Sequence, residues 1–175
     1  MKKLAVLLLF LINIPLLYSN GVGIVDASNQ LYLKLISSNV NVSVDNQVAV
    51  IKTTQVFRND FDSDRIFKYA FPLPEEASAI GMRWFSNGEW HSAVIAATAQ
   101  DTTLPGGGTI HPNLTAYLGD TPLYFNFDNP LPKDSLITIE LTYVELLKYK
   151  FGDVSFFYNN KYLLIHNSSV IEQYL

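Results

Sequence analysis

The stretch Val50–Glu76, reading VIKTTQVFRNDFDSDRIFKYAFPLPEE, restricts the fold more than any other part of the chain. Thr, Val, Ile, Tyr and Phe recur at alternate positions, and such side chains suit the pleated, half-buried surface of a strand. The stretch therefore reads as two strands joined by the polar turn Asp60–Asp64. Successive strand side chains point to opposite faces. Ala49, Ile51, Thr53, Gln55 and Phe57 then share one face of the first strand, and Phe67, Tyr69, Phe71 and Leu73 share a face expected to be buried in the second. Pro72 and Pro74 end the second strand, because proline has no N–H to give to a ladder. The Pro-Leu-Pro corner is expected to send the chain to another sheet.

The same period recurs downstream, and helix signals are nearly absent after the first twenty residues, which predicts an all-β sandwich of mostly antiparallel strands. Gln30–Ser37 sets Leu31, Leu33 and Leu35 against Tyr32, Lys34 and Ile36. Val40, Val42 and Val44 line one face of the next strand, and Asp45-Asn46-Gln47 turns the chain into Val48–Asn59. Ala79–Ala97 holds the clearest hairpin, because Asn87 and Gly88 both tolerate the positive φ of a type I′ turn. That turn pairs Ser86 with Glu89, Phe85 with Trp90 and Trp84 with His91. The face carrying Ile80, Met82, Trp84, His91, Ala93 and Ile95 is the better core candidate; Gly81, Arg83, Phe85, Trp90, Ser92 and Val94 form the other. Thr98–Thr121, with Gly106-Gly107-Gly108, Pro112 and Gly119, reads as a long surface loop with a short strand around Leu114–Leu118. Pro122–Phe127 is a short strand, Asn129–Asp134 a turn, and Leu136–Val144 a strand with Ile137, Ile139, Leu141 and Tyr143 inward. Val154–Tyr158 and Tyr162–Ile165 flank Asn159-Asn160 as a last hairpin.

Residues 1–20 read as a secretory signal peptide. Lys2 and Lys3 form the positive start, Leu4–Leu17 is a predominantly apolar region of fourteen residues, and Tyr18-Ser19-Asn20-Gly21 is the small and polar exit. A membrane-spanning helix needs about 20 apolar residues, so no membrane span is expected in the mature chain. The domain then occupies 21–175. It has no cysteine and holds together by packing alone. Export without disulfides fits a secreted, periplasmic or cell-envelope protein. Without Lys2 and Lys3 the chain has ten basic against sixteen acidic residues, a net −6. With no Lys/Arg run, it lacks the cationic contacts that nucleic-acid binding rests on.

Two segments together resemble a known family. The strand Ala49–Asn59, with Gln55, Phe57 and Asn59, is followed by Tyr69-Ala70-Phe71-Pro72-Leu73-Pro74-Glu75-Glu76-Ala77. The later run Pro132–Val144 is a proline-containing turn leading into alternating Ile137, Ile139, Leu141 and Tyr143. These resemble the vault protein inter-alpha-trypsin (VIT) domain, over roughly Leu31–Tyr158. The resemblance implies a β-sandwich that serves as a protein-interaction or structural module, with no catalytic residues of its own. It also implies an exported protein in which a von Willebrand A-type domain often follows. The tail ends on Ile171-Glu172-Gln173-Tyr174-Leu175 without a polar wind-down, so the natural chain is expected to continue past Leu175. Thr98–Thr121 departs from the family, whose members carry a charged, helix-forming segment there.

Residue by residue, catalytic and metal chemistry find little support. Asp60-x-Asp62-x-Asp64 begins like a calcium loop, but Arg65 and Phe71 stand where an EF-hand needs Gly and Glu. Asp26-Ala27-Ser28-Asn29-Gln30 fails the Asp-x-Ser-x-Ser metal pattern at Gln30. Gly106–Gly108 has neither a following helix start nor a lysine to hold phosphate. His91, His111 and His166 are scattered, and Glu140 and Glu145 point to opposite strand faces. No catalytic residue, metal ligand or cofactor site is therefore assigned. Arg83, Phe85 and Trp90 remain as a candidate interaction surface, on the hairpin face opposite the better core face. The preferred reading covers Phe85 and Trp90 with the 98–121 loop as a second small core. The alternative leaves them exposed as a platform for a protein or a glycan. The partner expected first is a protein or a neighbouring domain, with a glycan-binding or adhesion sandwich as the alternative.

Overall fold

A computed structural model describes residues 20–93, 95, 100–156, 158, 165 and 171–174, the last four by backbone alone. Twelve strands and one short helix are assigned there. They are β1 (Val22–Asp26), β2 (Leu31–Tyr32), β3 (Lys34–Asp45), β4 (Val48–Arg58), β5 (Arg65–Pro72), β6 (Ala77–Ser86), β7 (Glu89–Ala93), α1 (Pro112–Leu118), β8 (Pro122–Leu131), β9 (Leu136–Leu146), β10 (Tyr149–Lys150), β11 (Asp153–Val154) and β12 (Ile171–Tyr174). One sheet has the order β12-β3-β4-β9-β6-β7 and the other β2-β1-β5-β8, while β10 and β11 form a small hairpin of their own. Every pairing is antiparallel except β12 with β3.

The two sheets stack face to face as a β-sandwich. Rings meet across the gap: Phe57 of β4 with Tyr69 of β5 at 6.1 Å, and Phe71 of β5 with Tyr143 of β9 at 5.6 Å. Ala49, Ile51, Thr53, Gln55 and Phe57 are all fully buried, as the alternation requires, and so are Ile139 and Leu141 opposite them. Burying a side chain the size of Ile or Phe contributes about 1.5–3 kcal/mol, so this double row carries much of the stability. Strand β5 is buried on both faces, because Lys68 and Ala70 are covered as well as Phe67, Tyr69 and Phe71. The Pro-Leu-Pro corner delivers the chain from β5 in one sheet to β6 in the other, as expected.

Several local expectations are corrected. Asp60–Asp64 does not close a hairpin: β4 and β5 lie in different sheets, so this turn crosses the sandwich. The Leu31–Leu35 alternation is not one strand. The chain leaves β2 in the smaller sheet and enters β3 in the larger, with a bulge between Leu35 and Ser37; Tyr32 is buried and Leu31 exposed. On β3 the buried face stops short, leaving Val44 exposed where the strand runs past the core. Leu73 is only half-buried at the corner. Leu114–Leu118 is not a strand but lies within α1. His111 caps the helix by accepting the Asn113 N–H, Pro112 opens it, Gly119 ends it at φ 68°, and Leu114, Tyr117 and Leu118 face the core. Strand β8 runs on to Leu131 through the residues expected as a turn. The expected leader before Asn20, and the expected last hairpin beyond Val154 apart from Ser155, Phe156, Tyr158 and Ile165, lie outside the described residues.

The β3–β4 side of the sandwich is closed by a buried polar cluster. The Gln55 Oε1 accepts from the Tyr69 hydroxyl at 2.7 Å and the Gly21 N–H at 3.1 Å. The Gln55 Nε2 donates to Asn20 Oδ1, which also accepts from Ser38 and Tyr158. The Tyr117 hydroxyl, brought in by α1, donates to the Asn20 carbonyl at 2.6 Å. Burial pushes the Tyr69 phenol well above its usual range, which keeps it neutral and a donor. Gly21 is required here, since a Cβ would fall 2.2 Å from the Tyr69 ring.

Candidate interaction surface and an aromatic cleft

The hairpin β6–β7 forms with the expected register: Ser86 opposite Glu89, Phe85 opposite Trp90, Trp84 opposite His91. Asn87 and Gly88 take φ of 52° and 84°. Their turn therefore fixes which ring faces outward and which inward.

On the outer face, Phe85 is 38% and Trp90 46% exposed. No second core forms over them among the described residues, which overturns the preferred sequence reading. The reason is the course of the 98–121 segment. Its described part runs along β8 and over the Asp26 turn, where the Ala27 N–H donates to the Pro105 carbonyl and the His111 N–H to the Ala27 carbonyl. Phe85 and Trp90 pack against each other with centroids 5.4 Å apart. The Arg83 guanidinium lies 4.3 Å from the Trp90 ring centroid, a cation–π contact. The same guanidinium donates to Glu140 on β9, and Lys52 on β4 reaches Glu140 at 3.0 Å. Burial works against the charge of Glu140, but Arg83 and Lys52 outweigh it and hold the carboxyl below its ordinary value. Two cations on one largely covered carboxylate leave this face positive, on a chain of negative net charge. Beside it, Lys52, Gly81, Arg83, Ser92, Glu140 and Thr142 border a shallow depression of about 290 Å³.

The inner face is more open than a core face should be. Met82 is buried, but Trp84, His91 and Ala93 are only half-buried, and a bulge between Ala79 and Gly81 turns Ile80 outward to 55% exposure. Ile95 is exposed as well. Trp84 stacks on His91 at 5.4 Å and meets Phe125 and Phe127 of β8 at 5.1 and 5.3 Å. Phe67 stacks on Phe127 at 4.4 Å. These rings wall a cleft of about 200 Å³ between the sheets. Its rim comes from a bulge in β8: Arg65 and Phe67 are two apart, while their partners Leu131 and Phe127 are four apart. The two extra residues throw Asp128, Asn129 and Pro130 outward over the opening. The alternation of Trp84 and His91 signalled an inward face, but no local pattern announced the bulge that leaves it open.

The acidic motifs resolve into structural ties. Asp60 pairs with Arg58 and Lys34, Asp62 with Arg65, and Asp64 accepts the Lys133 N–H, so the three carboxylates do not converge. Asp26 Oδ1 accepts the Ser28 and Asn29 N–H groups and the Ser28 hydroxyl, closing its own turn. The Asn29 side chain, with these donors, lowers the Asp26 pKa to about 2. Lys68 of β5, 3% exposed, reaches the Asp101 carboxylate at 3.0 Å and the Asp101 and Thr103 carbonyls, while the Tyr124 N–H and the Asn126 amide of β8 donate to Gln100 and Asp101, so the 100–103 segment is pinned to β5 and β8. Among the described residues there is no cluster of three or more His, Cys, Asp or Glu able to hold a metal, and no helix long and apolar enough to cross a membrane.

No curated protein matches the chain. The model of the vault protein inter-alpha-trypsin domain matches residues 35–143, more than half of the sequence. The match runs from early β3 to Tyr143 of β9, so it takes in both sheets, the Pro-Leu-Pro corner and the β6–β7 hairpin. With the two-sheet architecture, the corner and the closing strand in place, this chain belongs to the VIT domain family.

Proposed function

We propose that this domain is a non-catalytic protein-interaction module of an exported protein, and that its partner docks on the outer face of β6–β7. The carrying observation is the exposed Phe85–Trp90 pair with Arg83 stacked on it. Aromatic and arginine side chains are the residues on which interface energy concentrates. Holding Arg83 between Glu140 and Trp90 orders it in advance, which lowers the entropy lost on docking. The positive balance of Arg83 and Lys52 favours a protein surface that presents carboxylates around an apolar anchor. A partner domain of von Willebrand A type, in the same chain or another, is the first candidate. Membership of the VIT family supports an interaction role over catalysis. The apolar leader supports export, and the burial and bonding of Asn20 within the domain support a cleavage just before that residue instead of after it.

A photo-crosslinking residue at Ser92, beside the platform, tests this reading in the producing cell. The expected result is one dominant adduct that Trp90→Ala or Arg83→Ala abolishes without changing the melting temperature. An adduct unaltered by both substitutions, or equally formed from Asn46 at a distant turn, would refute the docking face. Independently, sequencing the N-terminus of the secreted protein should begin at Asn20 or earlier; a start at Gly21 or later contradicts a cleavage that retains Asn20.

A further inference from the structure

We propose that the aromatic cleft between β6–β7 and β8 is a binding site for a single pyranose ring, such as a terminal sugar of a glycan. It is distinct from the outer docking face and does not depend on it. Three features of the cleft converge on this ligand.

The first is the wall. Trp84, Phe125 and Phe127 meet at mutual angles of 51°, 83° and 74°, so they form a corner rather than a flat stack. Such a corner offers π-faces and edges to the C–H face of a sugar ring, and an apolar wall with a few polar groups is the usual make-up of a small-ligand site. The second is the rim. Ser86 and Asn87 from the hairpin turn, and Asp128 and Asn129 from the β8 bulge, surround the mouth. Among the described residues none of these four side chains is engaged in a hydrogen bond with another. An amide carries both donors and acceptors and a carboxylate only acceptors, which matches neighbouring hydroxyls, each a donor and an acceptor. The third is size. At about 200 Å³ the cleft is smaller than the roughly 300–1,000 Å³ of sites for drug-sized ligands, so it takes one ring and not a chain of them.

Competing ligands fit less well. A phosphate or nucleotide would need a cation, and the lining contains no Lys or Arg. A dedicated cation site would surround its ligand with carboxylates, yet Asp128 is the single one in the lining and lies at the exposed rim. The bulge itself supports a built site. Inserting two residues breaks the β5–β8 ladder between Arg65 and Phe67, and bulges at strand edges typically re-aim side chains toward a ligand.

The chain has two tryptophans, so Trp90→Phe leaves Trp84 as the sole indole reporter. Methyl glycosides of glucose, galactose, mannose and N-acetylglucosamine are titrated against this variant, followed by a glycan array. The expected result is a saturable change in Trp84 emission for at least one sugar, with a dissociation constant on the order of 1 mM or tighter. Asn129→Ala and Asp128→Ala, both on the exposed rim, should weaken it by about tenfold or more with melting unchanged. Calorimetry with Trp84→Phe in the otherwise native chain should also show weakened binding. Three results overturn the site: no sugar on the panel or array binds; binding survives the Asn129→Ala and Asp128→Ala pair together; or Trp90→Ala, and not the rim substitutions, removes it. Saturable quenching of Trp84 by proline- or aromatic-bearing peptides in the absence of any sugar response would likewise overturn the assignment.

Discussion

The two sides of the sandwich solve the same packing problem in opposite ways. On the β3–β4 side the gap between sheets is closed by Asn20, Gln55, Tyr69 and Tyr117, whose polar atoms satisfy one another out of water. On the β6–β7 side the gap is lined with rings and left open, with its polar groups turned toward solvent. A closed network stabilises because each buried group has its partner, and removing any member strands the others. An open cleft leaves stability unclaimed, and the free polar groups and ring faces remain available to a ligand. The first side therefore closes the core, and the second leaves ring faces and polar groups open to solvent.

The largest expected effect breaks the closed side. Gln55→Ala strands the Tyr69 hydroxyl and the Gly21 N–H in the core, and should cost about 3 kcal/mol. At roughly 2–4 °C per kcal/mol for a chain of this size, thermal unfolding should fall by about 6–12 °C. A drop below about 2 °C would mean that the cluster does not seal the core. Next, Trp84→Ala on the open side should cost about 2 kcal/mol, less than the 3–5 expected of a fully buried ring, because water fills the widened cleft without a new void. A urea titration of Trp84→Ala beside Phe57→Ala measures the difference; equal losses would mean that the cleft is packed in solution. Smaller still, Trp90→Ala should change stability by about 0.5 kcal/mol or less, as expected for an exposed side chain outside the core. A larger loss would return the outer pair to a structural role.

The smallest effect concerns acid. Asp26 has its folded pKa depressed from 3.8 to about 2 by the Asn29 and Ser28 donors. Its contribution is complete above the unfolded value and fades as pH falls through the interval from about 4 to about 2. Asp26→Asn should therefore flatten the acid limb of the stability curve in that window by lowering stability above about pH 4, with stability near pH 2 nearly unchanged. Melting curves between pH 2 and 5 check this; an unaltered acid limb would show that the turn does not hold the carboxylate in solution.

How far the sequence speaks can be read from particular residues. Strict alternation in Val48–Arg58 and Leu136–Leu146 was enough to place Ile51, Phe57, Ile139 and Leu141 in the core, because strand geometry has a rigid two-residue period. Asn87-Gly88 set the hairpin register, because few dipeptides accept positive φ twice. The Pro-Leu-Pro corner marked the change of sheet. These signals are local and steric, and they act wherever the chain ends up. The helix α1 was legible only in hindsight: Pro112 and Gly119 bracket Leu114, Tyr117 and Leu118 at helical spacing, but seven residues are too few for the period to stand out.

The sheet assignment of β4 and β5, the half-open face of Trp84, the extra residues in β8 and the partners of Asn20 were decided by tertiary structure alone. Each depends on contacts between residues far apart in sequence, such as Phe67 with Phe127 or Tyr117 with Asn20. The same holds for the outer face. The sequence placed Phe85, Trp90 and Arg83 together, because the turn register does that locally. Whether anything covered them depended on where the 98–121 segment packs. Its described part is held to β5 by Lys68, along β8 by Tyr124 and Asn126, and over the Asp26 turn by backbone hydrogen bonds, and these leave the rings in water.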